Sequence, residues 1–227
     1  MRRVVLLTLL LYAGTLGVFL VVVAAVLRAP EGGGLGFGSR VAVVELEGII
    51  LDVDDIVRDL KGHRDNPLVR AVVLRINSPG GVVGPTQELV RAVQRLRDAG
   101  KPVVASLGAV AASGGYYVAA ATDSIYANPG TLTGSIGVIM QMANLENLMK
   151  KVGVEYVVIK SGQFKDVGNI SRPMTAEERR VLQALLDDVH GQFIDAVAEG
   201  RKLDRARVVS FADGDRKSTR LNSSHRL

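Results

Sequence analysis

SLGAVAASGGYYVAAA, residues 106–121, holds the end of one element, a serine among tiny residues and the start of another. Lys101-Pro102 and the run VVASLG read as a strand, and a helix begins near Ser113. Glycine and alanine around Ser113 let backbone approach a ligand closely and leave one hydroxyl uncovered, as a serine nucleophile requires. The same residues read equally well as a small packing serine. The chain has no cysteine, and its three histidines, His63, His190 and His225, fall in stretches that read as surface. If Ser113 is a nucleophile, its proton acceptor is therefore a lysine.

On either side of this stretch, strand and helix patterns alternate. VAVVELEG (41–48) is a β-branched strand, and DVDDIVRDLKG (52–62) suits a short helix with acidic residues in its first turn. AVVLRI (71–76) is a buried strand running into the turn Asn77-Ser78-Pro79-Gly80-Gly81. Leu89, Val90, Val93 and Leu96 have helical spacing within a helix over 85–98. SIYA (124–127) is a short strand. Ile136 to Met140 and a helix near 143–152 then lead to a strand VEYVVI (154–159). Thr175 caps a long helix reaching about residue 200, with Glu178 three residues on as its capping-box partner. Such alternation implies an α/β domain around a largely parallel sheet.

In that architecture the loops after strands gather at the carboxyl edge, where sites form. The first is NSPGG (77–81), the second carries Ser113, and the third, KSGQFKDVGN (160–169), supplies Lys160 and Lys165. The Gly114 amide lies beside the hydroxyl and the Gly81 amide can face it, which would form an oxyanion hole. One such donor is worth about 3 kcal/mol of transition-state stabilisation. A lysine base must be neutral, several units below its usual ~10.4, so it needs a desolvated pocket and hydroxyls to orient it. TLTGSIGV (131–138) offers Thr133 and Ser135. Asp123 reads as a local cap or ion-pair partner. No ligand cluster or nucleotide fingerprint appears, so neither cofactor nor metal is expected.

The two ends carry the basic charge. Residues 1–28 contribute +3 and residues 215–227 another +3, leaving 21 basic and 22 acidic side chains over 29–214. The pI of 9.6 is thus a property of the ends, and nucleic-acid binding has no support. Residues 4–27 hold no charge over 24 positions, enough to span a bilayer, and no Ala-x-Ala cleavage site ends the run. Residues 1–28 therefore read as a cytoplasmic start and transmembrane helix. Arg2 and Arg3 before the span, against Arg28 after it, place the bulk of the chain outside. Residues 29–40 read as a flexible tether. The last thirteen residues, 215–227, lack apolar periodicity. Asp215 to His225 resembles the in-frame translation of a sequencing adapter, which makes 215–227 a non-native tail.

NSPGG, AASGGYY, TLTGSIGV and IKSGQFKD, in this order and spacing over residues 41–214, resemble the signal peptide peptidase A family, in its half-length, membrane-anchored bacterial form. The resemblance implies a crotonase/Clp-protease-like fold and a Ser/Lys endopeptidase that degrades signal peptides left in the inner membrane after leader peptidase has acted. It makes Ser113 the nucleophile, Lys165 the general base, Ser135 the lysine-orienting hydroxyl, and Gly81 and Gly114 the oxyanion donors. It also implies a ring of protomers in which Lys165 serves a neighbour's Ser113, with hydrophobic peptides as substrates. The family continues past a DGR-like turn, whereas here Ala212-Asp213-Gly214 runs into the tail, so the domain reads as truncated at Gly214 and is expected to fold or assemble poorly. A membrane-bound Ser/Lys peptidase for one specific membrane protein, an acyl-CoA enzyme of the crotonase fold and a noncatalytic membrane scaffold are the competing readings.

Overall fold

Hydrophobic patterning is realised as a six-stranded sheet in a computed structural model that describes residues 14–17, 19–21 and 38–218. The chain divides into two units, Met1–Gly38 and Ser39–Leu227. In the first, residues 14–17 and 19–21 are helical. The expected span over 4–27 lies mostly outside the described residues, among which no helix is long and apolar enough to cross a membrane. The expected tether lies largely outside them too.

In the second unit the elements are β1 (Arg40–Ile50), α1 (Asp54–Asp65), β2 (Val69–Gly81), α2 (Val83–Asp98), β3 (Val103–Ala112), α3 (Gly114–Ala120), β4 (Ser124–Tyr126), β5 (Leu132–Gly134), α4 (Glu146–Val152), α5 (Ala176–Arg201), α6 (Arg205–Val209) and β6 (Arg216–Ser218). The sheet order is β1-β2-β3-β5-β6, with β4 also on β3. Every pairing is parallel except β5 with β6. This is the expected α/β arrangement. The sheet's middle is covered, so Val72, Leu74 and Ile76 of β2 and Val103 and Ala105 of β3 are fully buried. Leu89, Val93 and Leu96 of α2 are fully buried as well. A side chain of that size is worth about 1.5–3 kcal/mol when removed from water.

Two features place the site. β2 does not stop at the apolar run but continues through NSPGG, with Ile49 opposite Gly80 and Ile50 opposite Gly81. β3 is followed directly by Ser113 and α3, and β5 lies on its upper half, with Ala111 opposite Thr133 and Ala112 opposite Gly134.

One expected strand is absent. Residues 154–159 form no strand, because among the described residues no strand lies beside them to complete a ladder; Ile159 is 97% exposed and Val157 73%. Arg216–Ser218 pairs antiparallel with β5, a pairing that uses backbone groups alone and is indifferent to apolar periodicity.

Candidate active site

Ser113 occupies the junction between β3 and α3 with φ 50° and ψ −122°. A non-glycine residue in this region carries on the order of 1–3 kcal/mol of strain, which the surrounding structure must impose. Here the restraints are visible: the Ser113 amide donates to the Gly134 carbonyl at 2.9 Å, and its own carbonyl accepts from the Tyr117 amide at 2.8 Å. The serine is thus held by β5 on one side and by the first turn of α3 on the other. Gly114 and Gly115 open that helix, where amides precede any intrahelical acceptor.

The neighbouring glycines are required by the closeness of the two loops. A Cβ on Gly80, which has φ +100°, would stand 2.7 Å from the Gly114 nitrogen and 2.8 Å from the Ser113 Cβ. A Cβ on Gly114 would stand 2.8 Å from Thr86 Oγ1 and 3.3 Å from the Gly81 nitrogen. One on Gly81 would overlap the Ile50 carbonyl. The end of β2 therefore lies directly against the serine, with the Gly81 and Gly114 nitrogens near one another.

These residues line a cleft of about 780 Å³. Ser113, Gly81, Gly114 and Ser135 share it, so four of the five expected site residues come together. Its apolar walls include Val83, Val138, Ile139 and Leu186, and Tyr117 stacks on Phe193 with ring centroids 4.5 Å apart. Ser135, like Ser113, has positive φ (53°), and its amide donates to the Asp215 carbonyl at 2.8 Å. Thr133, the other hydroxyl open to the sequence reading, is buried and donates to the Ala111 carbonyl at 2.8 Å. It is a β3–β5 tie, which leaves Ser135 as the hydroxyl of that pair facing the cleft.

Lys165 is elsewhere. It is exposed, lies on the loop between α4 and α5, and does not line the Ser113 cleft of its own chain. That loop is fastened by ions. Asp166 pairs with Lys160 through Oδ1 and with Arg172 through Oδ2 (3.0 Å), and Arg172 also pairs with Glu178. Glu178 in turn closes the expected capping box with Thr175. Lys160, the other lysine that this loop offers, is thereby an ion-pair partner. Its pairing with Asp166 and that of Arg172 hold the Asp166 carboxyl down to about 2; Arg172 and the Thr175 amide do the same for Glu178. Both values lie below the ordinary 3.8 and 4.5. Depressed carboxyl values stabilise the folded state above the ordinary range and lose that contribution as pH falls to about 2. The thermal midpoint should hold level down to about pH 4.5 and then fall towards pH 2. Calorimetry across that window should show a shallower fall for Arg172→Met.

His190 also differs from its expected surface position. It is half-buried, its Nε2 lies 3.2 Å from the Ile136 carbonyl, and it lines the cleft from α5. Asp123 behaves as expected, pairing with Arg97 at 2.8 Å and accepting from the Val103 amide at 2.8 Å.

The family model of peptidase family S49 matches residues 95–222. The chain belongs to peptidase family S49. Its expected kinship with signal peptide peptidase A is borne out. A protein of Enterococcus faecium named for signal peptide peptidase SppA is 34% identical over 160 residues, covering 70% of this chain and 46% of that one. A Synechocystis protein named as a protease is 50% identical over 144 residues, covering 63% of this chain and 52% of its own length. The S49 chain thus spans about half the length of these curated relatives. Among solved structures, a mutant of the 1510-N membrane-bound stomatin-specific protease superposes with a TM-score of 0.53 at 15% identity. That match covers 82% of this chain and 76% of the other, and it shows a shared fold.

Proposed function

We propose that this S49 chain is a serine endopeptidase in which Lys165 of one protomer activates Ser113 of the next. The observation that carries the reading is the seating of Ser113, strained at φ 50° and facing a cleft beside the Gly81 and Gly114 amides. In the proposed reaction neutral Lys165 Nζ takes the Ser113 Oγ proton as Oγ attacks the peptide carbonyl carbon. The Gly81 and Gly114 amides donate to the resulting oxyanion. Collapse breaks the C–N bond, and the Lys165 ammonium returns its proton to the leaving amine. Water, deprotonated by the same lysine, then hydrolyses the acyl-enzyme, while Ser135 orients the lysine. No cofactor is used.

Sharing the dyad between protomers accounts for Lys165 lying outside the Ser113 cleft of its own chain. It also accounts for the uncovered apolar side chains before it: Val154, Tyr156, Val157 and Ile159 are all at least half exposed. A surface of this kind favours burial against another chain. The apolar cleft walls suit hydrophobic peptides, and with an anchor over 4–27 the substrates are signal peptides remaining in the inner membrane, met from its outer side.

Complementation tests the shared dyad. Ser113→Ala and Lys165→Ala proteins should each be inactive on a fluorogenic apolar peptide. Co-expressed, they should recover a fraction of wild-type activity, because some interfaces then pair an intact serine with an intact lysine. Two inactive variants that remain inactive in verified mixed oligomers would count against the shared dyad.

A further inference from the structure

A closed circuit of contacts joins Ser113 to Ser135, and His190 completes it. We infer that His190 is a positioning residue: by holding the Ile136 carbonyl it fixes Ser135 relative to the Ser113 nucleophile. This rests on the reading of Ser135 as the group that orients the lysine base.

Each link of the circuit lies within one protomer. The Ser113 amide donates to the Gly134 carbonyl at 2.9 Å, which brings the start of segment 135–139 beside the nucleophile. In the other direction, the Ser113 carbonyl accepts from the Tyr117 amide at 2.8 Å, one turn into α3. The Tyr117 ring stacks on Phe193 of α5, with 4.5 Å between centroids and 10° between planes. His190 stands one helical turn before Phe193, on the same face of α5. Its Nε2 lies 3.2 Å from the carbonyl of Ile136, the residue bonded to Ser135.

The side of the circuit that runs through α5 is stiff. The helix spans 26 residues behind its capping box, and Phe193, Ile194 and Val197 are buried in the core. The side through 135–139 depends on its ties. These residues belong to no helix or strand, yet Ser135, Gly137, Val138 and Ile139 all line the cleft. Ser135 is held at φ 53°, a conformation that a serine keeps only under restraint. Its own amide is tied to the Asp215 carbonyl at 2.8 Å. Ile136 restrains it from the other end, with a buried side chain and a carbonyl tied to α5. Without His190 the peptide unit after Ile136 can turn, and Ser135 loses one of the contacts that hold it.

The chemistry of the tie is specific. A carbonyl oxygen only accepts, so Nε2 carries the proton, in the neutral and the charged imidazole alike. Glutamine can bring an amide N–H to the same reach, asparagine is one methylene shorter, and phenylalanine keeps a ring without a donor.

The test follows the rate at which a small fluorophosphonate labels Ser113 in the full chain in detergent micelles. His190→Phe and His190→Asn should each label about tenfold more slowly, the scale of a modest misplacement of a catalytic group, and His190→Gln should stay within about twofold of wild type. On a fluorogenic peptide the loss should fall on kcat, with KM changed by less than about twofold. Thermal midpoints accompany the rates, and the Gln–Asn pair carries the comparison if the phenylalanine variant fails to fold. A double-mutant cycle locates the effect: in a Ser135→Ala background, His190→Phe or His190→Asn should slow labelling by less than about a further twofold. Wild-type labelling by His190→Asn overturns the inference. So does a His190→Gln protein as slow as His190→Asn, or a full tenfold loss added to that of Ser135→Ala. If Ser135→Ala itself labels at the wild-type rate, Ser135 does not orient the base, and that reading falls together with the inference. If Ser135→Ala is slow while the His190 variants label normally, only the inference falls.

Discussion

Replacing Ser113 by alanine is expected to lower peptidase turnover by on the order of 10⁶-fold, the scale on which serine peptidases lose activity with their nucleophile. Alanine keeps the Cβ and removes only the hydroxyl, so the backbone strain at φ 50° and its tie to Gly134 persist unchanged. The thermal midpoint should therefore stay within about a degree or two of wild type. Loss of activity together with loss of fold would point to a packing serine. Loss of activity alone is what a nucleophile gives. Turnover of a fluorogenic peptide, with calorimetry on the same preparation, distinguishes these outcomes.

Gly80→Ala should have the second-largest effect, for a geometric reason. The new Cβ would lie 2.7 Å from the Gly114 nitrogen, 2.8 Å from the Ser113 Cβ and 3.0 Å from the Ala112 carbonyl, at φ +100°. These neighbours are backbone or the nucleophile itself, so relief requires moving the atoms proposed to do the chemistry. Displacing one oxyanion donor costs about 10²–10³ in kcat. The left-handed backbone adds roughly 1–3 kcal/mol of destabilisation. Gly84→Ala is the control, because nothing lies within 4 Å of its Cβ and the site begins a helix. It should leave kcat unchanged and alter urea unfolding by less than about 1 kcal/mol.

The parts of the fold legible in the sequence were those set by local chemistry. Ser113 at the end of β3, the apolar face of α2 at Leu89, Val93 and Leu96, and the Thr175–Glu178 capping box all depend on residues a few positions apart. NSPGG read as a turn because proline and glycine punctuate chains. Gly80 at φ +100° instead lets β2 continue beside β1 through a register shift. VEYVVI has strand composition, but pairing needs a neighbour that a single chain's sequence cannot reveal. The Asp166–Arg172–Glu178 chain escaped detection because its members are six residues apart across an irregular loop, matching no helix or strand period. Likewise, nothing in the sequence around His190 signals its Ile136 partner 54 residues away.

The candidate site divides in the same way. Its glycines, Ser113 and Ser135 meet within one protomer because β2, β3 and β5 are neighbours in one sheet. Lys165 lies outside that sheet and does not line the Ser113 cleft. The loop carrying it is held by ion pairs and follows a run of uncovered apolar residues.

Fluorophosphonate labelling of the full chain followed by peptide mass spectrometry tests most directly whether Lys165 activates Ser113. The adduct should lie on Ser113, and Lys165→Ala should reduce its formation at neutral pH by at least a hundredfold while leaving the fold intact. An adduct on a different residue, or labelling of Ser113 that is indifferent to Lys165, would contradict it.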